Sequence, residues 1–502
     1  MQHHLLNKDI KKYLNKSCNF KQKQSLKSIF CNFKRTNKRG VVYTPIFIVK
    51  NMLATIGYLS QNILKKHIID NSCGEGAFLI EIVNRYIENA KEKQLTEIEI
   101  AKDLEIFIHG IEIDYFSYTI CINNLNQTLL NHGIQTPVAW DIINGDALEI
   151  KKYNYCMDYI VGNPPYIRIH DLNSKTNYKK YTFASKGMYD LYLIFFELSI
   201  KMLNNDGRMI YISPNSYFTS ASGSKFRKYL IENKLLSKII NLGHFNPFKF
   251  VTTYPCITLI DKNNQNEVIN YYEYDEKKLS NKFIAKLKYI HFFLNGAFYF
   301  SSLKRLINFK KITTIDKNPF LKIKNSVSTN LDSFFYNSNY QGEFIRSAFK
   351  ISTFKTTNVF YPYNKQGILI PLEKIKKNNP TIYNILYQNE KKLNARSLQK
   401  QKWYEFARTQ GILDIEKEKI VINNIIKNLE TIKFKILSPG IVPYSGYYIL
   451  SDKYDFEFIK KILIKQDFIE YLKILGKAKN GKYYFFSTTD LHLYLSYQIS
   501  QI

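Results

Sequence analysis

Short apolar runs, each closed by a polar residue, recur along the first half of the chain at the spacing of successive βα units. They are His67-Ile68-Ile69-Asp70, Phe107-Ile108-His109-Gly110-Ile111-Glu112, Asp141-Ile142-Ile143-Asn144-Gly145-Asp146 and Tyr159-Ile160-Val161-Gly162-Asn163. Runs this short and apolar read as buried strands, and the intervals between them are long enough for a helix. The pattern predicts a doubly wound α/β sheet. Ligands of such sheets bind beyond the carboxyl ends of the strands, where Asp70, Glu112, Asp146 and Asn163 would stand.

The last run ends most abruptly. Gly162-Asn163-Pro164-Pro165 cannot continue a strand, because proline has no ladder donor and glycine permits a sharp turn. Asn163 is thereby lifted off the strand end. Its amide oxygen and the Pro164 carbonyl are two uncharged acceptors, and the Tyr166 ring is a flat stacking surface. Two acceptors and a ring fit a planar amine. Accepting from both of its N–H bonds would draw the nitrogen towards sp3 and free its lone pair for an electrophilic methyl group. An ordinary Asn-Pro turn is the competing reading, and the upstream residues weigh against it.

After Asp70 comes a small-residue loop, Asn71-Ser72-Cys73-Gly74-Glu75-Gly76, and then a helix through Tyr86. Strand, glycine loop and helix in that order let a cofactor approach the backbone closely. No Walker lysine follows Gly76, which favours a nucleoside ligand without a phosphate chain. Glu112 stands where a carboxylate binds ribose hydroxyls in doubly wound folds. Upstream, Pro45 to Leu59 reads as an amphipathic helix with Thr44 as N-cap and Pro45 in its first position, and its free N–H groups can face a ligand carboxylate. Downstream, Tyr189 to Leu203 is predicted as a core helix, Gly207 to Tyr217 as a strand with a loop at its end, and Tyr254 to Ile260 as a late strand.

The order Tyr43-Thr44-Pro45, Asp70-x-x-Cys73-Gly74-x-Gly76-Ala77-Phe78-Leu79, Glu112-Ile113-Asp114, Gly145-Asp146 and Asn163-Pro164-Pro165-Tyr166 resembles the gamma-class amino-methyltransferases of type II restriction-modification systems. The resemblance covers residues 39 to 260. It implies a Rossmann-like domain using S-adenosyl-L-methionine to methylate the exocyclic N6 of adenine in double-stranded DNA, followed by a target-recognition domain. By the same resemblance Thr44, Asp70, Asn71, Ser72, Cys73 and Glu112 contact the cofactor, Asp146 faces its adenine and Pro165 packs against it. Asn163 and the Pro164 carbonyl would hold the target amine, with Tyr166 stacking on a flipped base. An aromatic on the base's other face is also implied. Phe245, Phe248 and Phe250 offer themselves, and Phe248 is chosen from its distance to Thr253-Tyr254. Asn71-Ser72 departs from the family's usual Pro-Ala, and Glu75 replaces a residue that is often small.

The formal net charge of +30 points to a polyanion partner. It is uneven: residues 1 to 38 carry +9, residues 39 to 260 carry +3 and residues 261 to 502 carry +18. The expected organisation is a basic N-terminal arm or helix over 1–38, a catalytic domain over 39–260 and a basic α+β DNA-recognition domain over 261–502. In the last of these, Arg396, Lys400, Lys402, Trp403, Tyr404 and Arg408 interleave cations with aromatics, and Gly476 to Tyr484 is a basic, glycine-flanked turn, both suited to phosphate contacts. The six cysteines form no C-x-x-C spacing, so no metal site and no disulfide framework is expected. No run spans a bilayer and no signal-peptide pattern opens the chain, so a cytoplasmic monomer without a membrane partner is expected. With 38 residues before the first motif, a nuclease fused in the same chain is not expected, and a companion restriction endonuclease is expected as a functional, not necessarily physical, partner. The alternatives are a methyltransferase of an RNA base or a protein glutamine amide, and a catalytically inactive DNA-binding specificity protein.

Overall fold

The computed structural model describes residues 43–59, 63–171, 178–183, 190–248, 253–264, 266–396, 402–479 and 481–502. The basic segment 1–38, Tyr189, Phe250, Lys400 and Asn480 lie outside the described residues. The chain divides into two compact units, Met1–Phe298 and Tyr299–Ile502.

The first unit is built on a nine-stranded sheet ordered β3-β2-β1-β4-β5-β7-β6-β8-β9. Its strands are β1 (Ile68–Asp70), β2 (Ile108–Glu112), β3 (Asp141–Asn144), β4 (Met157–Gly162), β5 (Leu203–Pro214), β6 (Leu236–Asn241), β7 (Pro255–Asp261), β8 (Val268–Asp275) and β9 (Ser280–Lys288). β3, β2, β1, β4 and β5 are mutually parallel, β7 is inserted antiparallel between β5 and β6, β8 runs parallel to β6, and β9 closes the edge antiparallel to β8. The order reverses between β1 and β4, so the switch-point crevice lies at the carboxyl ends of those two strands.

Local sequence explains the helices. α1 (Ile46–Ile56) buries Ile48, Val49, Met52, Leu53 and Ile56 on one face and ends at Gly57, whose φ of 89° is left-handed. Its N-cap is Pro45 rather than Thr44, and no side chain caps it. α2 (Ala77–Glu92) starts directly after Gly76, and a Cβ there would come 2.8 Å from the Cys121 sulfur. α3 (Glu97–Phe107) opens on a Thr96–Glu99 capping box, and α4 (Tyr115–Asn131) is capped by Asp114. α5 (Leu191–Met202) is apolar nearly all round and buried accordingly. One core joins α1 to α4 to the sheet, with Val161, Ile210 and Ile257 among its strand residues.

The expected domain boundary after residue 260 is corrected by the sheet. β8 and β9 continue it to Lys288, and the unit ends at Phe298. Tyr272 and Tyr274 of β8 pack against the same core, and no motif marks these strands.

The second unit is α+β. Strands Leu321–Asn325, Tyr447–Ser451, Lys419–Ile422 and Phe434–Leu437 form an antiparallel sheet, and Lys355–Phe360, Ile345–Lys350 and Val442–Tyr444 form a mixed one. Helices Leu303–Thr314, Phe456–Leu463, Gln466–Leu475 and Thr488–Ser500 accompany them. A net +17 falls after residue 298.

Candidate active site

The switch point brings the predicted strand-end residues together. Asp70 ends β1 only 2% exposed, and its Oδ1 accepts the Ser72 N–H at 3.0 Å. Burial pushes the Asp70 carboxyl up to about 7, against the Ser72 N–H, which stabilises the charge, while the nearby Glu112 raises it further. β4 passes close by: a Cβ on Gly162 would stand 2.8 Å from Asp70 Oδ1 and 3.3 Å from the Tyr211 ring, so the close approach of the two strands requires glycine.

Glu112 ends β2 and organises the glycine loop. Its Oε2 accepts the Gly74 N–H at 2.9 Å and its Oε1 the Asp114 N–H at 2.8 Å. Burial raises its pKa and these backbone donors oppose the rise. Both oxygens are held in a fixed orientation with lone pairs remaining for a diol. Asn124 Nδ2 pins the loop from α4 through the Glu75 carbonyl at 2.9 Å, and a Cβ on Gly74 would meet nothing within 4 Å, leaving an open cradle over that turn. After β3, Asp146 is half-buried and its Oδ1 accepts the Leu148 N–H at 2.9 Å.

Two residues expected to touch the cofactor turn their side chains elsewhere. Asn71, 1% exposed, donates from Nδ2 to Ser199 Oγ at 2.8 Å and accepts from the Tyr211 hydroxyl at 2.5 Å, and Ser199 and Tyr211 meet at 2.6 Å. Its amide is consumed in tying β1 to α5 and β5, so only its backbone remains for a ligand. Cys73, 5% exposed, packs in the core beside Cys121, which with burial raises its thiol pKa well above the usual range. The Ser72 side chain, in contrast, stays beside the Asp70 carboxyl, whose pKa its hydrogen bond helps to lower. Ser199 and Tyr211 hold the Asn71 amide, a pair of contacts that sequence reasoning missed. A phenol inside the apolar Met209–Ile212 run was the available signal.

The Asn163 turn follows β4. Asn163 Nδ2 donates to Thr44 Oγ1 at 3.1 Å, and Thr44 is 3% exposed. Because Pro45 takes the cap position, the Thr44 hydroxyl serves this contact instead of the helix end. Pro164 is buried and Pro165 half-buried. The Tyr166 hydroxyl donates to the Ile212 carbonyl at 3.0 Å, which anchors the ring, and burial raises its pKa well above the ordinary tyrosine value. The Phe248 ring lies 5.9 Å from Tyr166 at 74°, edge to face. Phe245 instead stacks on Tyr274 at 4.8 Å and 27°, so of the described candidates Phe248 is the one beside Tyr166. A base stacked on both rings needs a wider, more parallel gap than this edge contact leaves.

In the second unit Arg396 is corrected from its expected role. It is 8% exposed and its guanidinium donates to the carbonyls of Leu393, Thr329, Trp403 and Glu405, above the Phe335 ring, so it braces a loop and is closed to phosphate. Tyr404 is likewise buried, donating to the Ile370 carbonyl. Lys402 and Arg408 are exposed. Lys477 pairs with Asp490 at 2.5 Å, whereas Lys479 and Lys482 face solvent on the short hairpin of Ala478–Lys479 and Tyr483–Phe485. Among the described residues no group of three or more His, Cys, Asp or Glu side chains is placed to hold a metal ion, and no helix is long and apolar enough to cross a membrane.

Residues 75–248, from the glycine loop to Phe248, match the family described as Eco57I restriction-modification methylase. This segment is a restriction-modification methylase domain. The chain is 26% identical to the type II restriction enzyme and methyltransferase RM.Eco57I of Escherichia coli, over 89% of this chain and 55% of that protein. It is 30% identical to the type II methyltransferase M.BstVI of Geobacillus stearothermophilus, over 46% of this chain and 43% of the relative. The chain thus spans about half the length of these curated relatives. The fold is also similar to that of the type IIL restriction-modification enzyme MmeI, solved in complex with DNA, at a TM-score of 0.58 and 14% identity, over 92% of this chain and 65% of that one. The matched residues include strands β2 to β6 and the turn carrying Asn163.

Proposed function

We propose that the chain is a site-specific DNA methyltransferase that transfers the methyl group of S-adenosyl-L-methionine to the N6 of an adenine in duplex DNA. The observation that carries this is the Asn163-Pro164-Pro165-Tyr166 turn at the carboxyl end of β4, at the switch point, with Phe248 beside Tyr166.

The residues present fit the cofactor. The open space over Gly74 and the fixed Glu112 carboxylate lie at the carboxyl ends of β1 and β2. Glu112 would hold the ribose hydroxyls, and Asp70, Ser72 and the Asn71 and Cys73 backbone the amino-acid end. Asp146 and Pro165 would border its adenine. When bound, S-adenosyl-L-methionine supplies an electrophilic methyl group.

The chain's own residues then act on the target amine. Asn163 Oδ1 and the Pro164 carbonyl accept its two N–H bonds, which pyramidalises the nitrogen and turns its lone pair outward. Both acceptors strengthen as positive charge develops on that nitrogen, so their effect falls on the transition state. The Thr44 hydroxyl accepts from the Asn163 nitrogen and so fixes the orientation of the amide. The base must leave the helix to reach this turn, since the amine is otherwise paired. Tyr166, anchored through Ile212, offers it a stacking face.

The charge after residue 298 suits the phosphate backbone, with Lys402, Arg408, Lys479 and Lys482 exposed. Protection from a companion restriction endonuclease in the cytoplasm is the biological reading. The test is to incubate the chain with methyl-labelled cofactor and DNA, digest to nucleosides and identify the labelled one. N6-methyl-2′-deoxyadenosine is expected. Label in cytosine, in RNA or protein only, or in none overturns the proposal.

A further inference from the structure

Beside the catalytic turn, the start of α1 leaves large apolar side chains in solvent. Tyr43 is 68% exposed, Ile46 50% and Phe47 40%, whereas Thr44 between them is buried and bonded to Asn163. The exposed residues and the catalytic amide are therefore held by one turn of chain.

The exposed ring is also braced. Phe47 lies 6.3 Å from Phe245, and Phe245 stacks on Tyr274 at the end of β8. Three residues after Phe245, the same loop places Phe248 against Tyr166. One segment, Leu242 to Phe248, thus backs the base pocket with one phenyl ring and the outer rim with another.

Drawing a base out of a duplex leaves an apolar gap between its neighbours, and proteins that open base steps do so with rigid apolar side chains. We infer that Phe47, flanked by Ile46, is a wedge that enters the duplex at the target step and occupies the space the adenine vacates. This rests on the methyltransferase reading and adds to it the residue that stabilises the opened helix. Bases are the occupant because the rim is continuous, through Thr44 and Phe245, with the site at which a base must arrive.

The test compares Phe47→Ala and Phe47→Gln with wild type in single-turnover methylation, on a duplex carrying the mapped target site and on the same duplex with an abasic position opposite the target adenine. On the paired duplex both variants should be slower by about tenfold or more, because unpairing and unstacking are no longer offset. On the abasic duplex, where the adenine is already unpaired, they should come within about threefold of wild type. Cofactor affinity should be unchanged, and Ile98→Ala, which removes a side chain 72% exposed on α3, should match wild type on both duplexes. Wild-type rates for both Phe47 variants on the paired duplex overturn the wedge. So does equal slowing on the two duplexes, which would make Phe47 a support for the base pocket. Absence of transfer by the wild-type protein to any DNA overturns the methyltransferase reading, and the wedge with it.

Discussion

Asn163 and Thr44 meet at 3.1 Å, amide nitrogen to hydroxyl oxygen, across 119 positions of sequence. In the proposed reaction this contact sets which end of the amide would face the target amine. Thr44→Val keeps the shape and removes the acceptor, so the amide should lose its fixed orientation. Single-turnover methylation is expected to fall by roughly threefold to tenfold, the equivalent of one neutral hydrogen bond of about 1 kcal/mol. Cofactor affinity, followed by calorimetry, should change less than the rate.

Removing Asn163 itself should separate catalysis from binding. Asn163→Ala is expected to retain cofactor and DNA while losing about a hundred- to a thousandfold in turnover, by analogy with loss of one preorganised donor at an oxyanion hole. Asn163→Asp should be milder, since a carboxylate still accepts, although its charge must be desolvated. Rapid-quench transfer from labelled cofactor measures both.

Glu112 accepts the Gly74 and Asp114 N–H groups and is proposed to hold the cofactor's ribose as well. Glu112→Ala should weaken S-adenosyl-L-methionine binding by about 1.5 to 3 kcal/mol, the range for hydrogen bonds to a charged group. It also strips the Gly74 and Asp114 N–H groups of their acceptor, so the thermal midpoint without cofactor should drop as well. Glu112→Gln, with one oxygen left, should lie between. DNA affinity should stay near wild type in a binding titration.

Asp70 ties stability to pH. Its carboxyl stands at about 7 in the fold against an ordinary 3.8, so folding disfavours its charged form. That group's contribution is most favourable below pH about 4 and is lost as pH rises through about 7. Asp70→Asn should therefore stabilise the cofactor-free protein, and by about 2 kcal/mol more at pH 8 than at pH 5.5. Cofactor binding should weaken in the same variant. Urea unfolding at the two pH values, beside calorimetry, checks both signs.

The basic second unit makes DNA affinity a matter of salt. Binding by the full chain should weaken by roughly tenfold or more between about 50 and 200 mM salt if several phosphates are contacted. Arg396→Ala should harm folding of its loop more than it changes that slope, since its donors are spent on carbonyls, whereas Lys479→Ala and Lys482→Ala should reduce the slope without altering the melt. A filter-binding series over salt distinguishes these outcomes.

Much of the catalytic unit was legible in sequence because its signals are local. The period of apolar runs, the glycines after Asp70 and the prolines after Asn163 act through the backbone of their own neighbourhood, which sets strand, loop and turn before any tertiary contact forms. Parallel strands at βα spacing then leave Asp70, Glu112 and Asn163 at one edge. Where each side chain points is a different matter, because it depends on partners distant in sequence. Asn71 turns inward because Ser199 and Tyr211 complete its hydrogen bonds, Arg396 is buried because four carbonyls enclose it, and Phe248 rather than Phe245 reaches Tyr166 because Tyr274 already stacks on Phe245. The end of the unit at Phe298 was hidden for the same reason, since β8 and β9 join the sheet through long-range pairing that no short motif encodes. Sequence alone determined the strand-end chemistry, through backbone preferences that each segment carries by itself. Tertiary structure decided which polar groups remain for a ligand, because only packing tells a satisfied side chain from an open one.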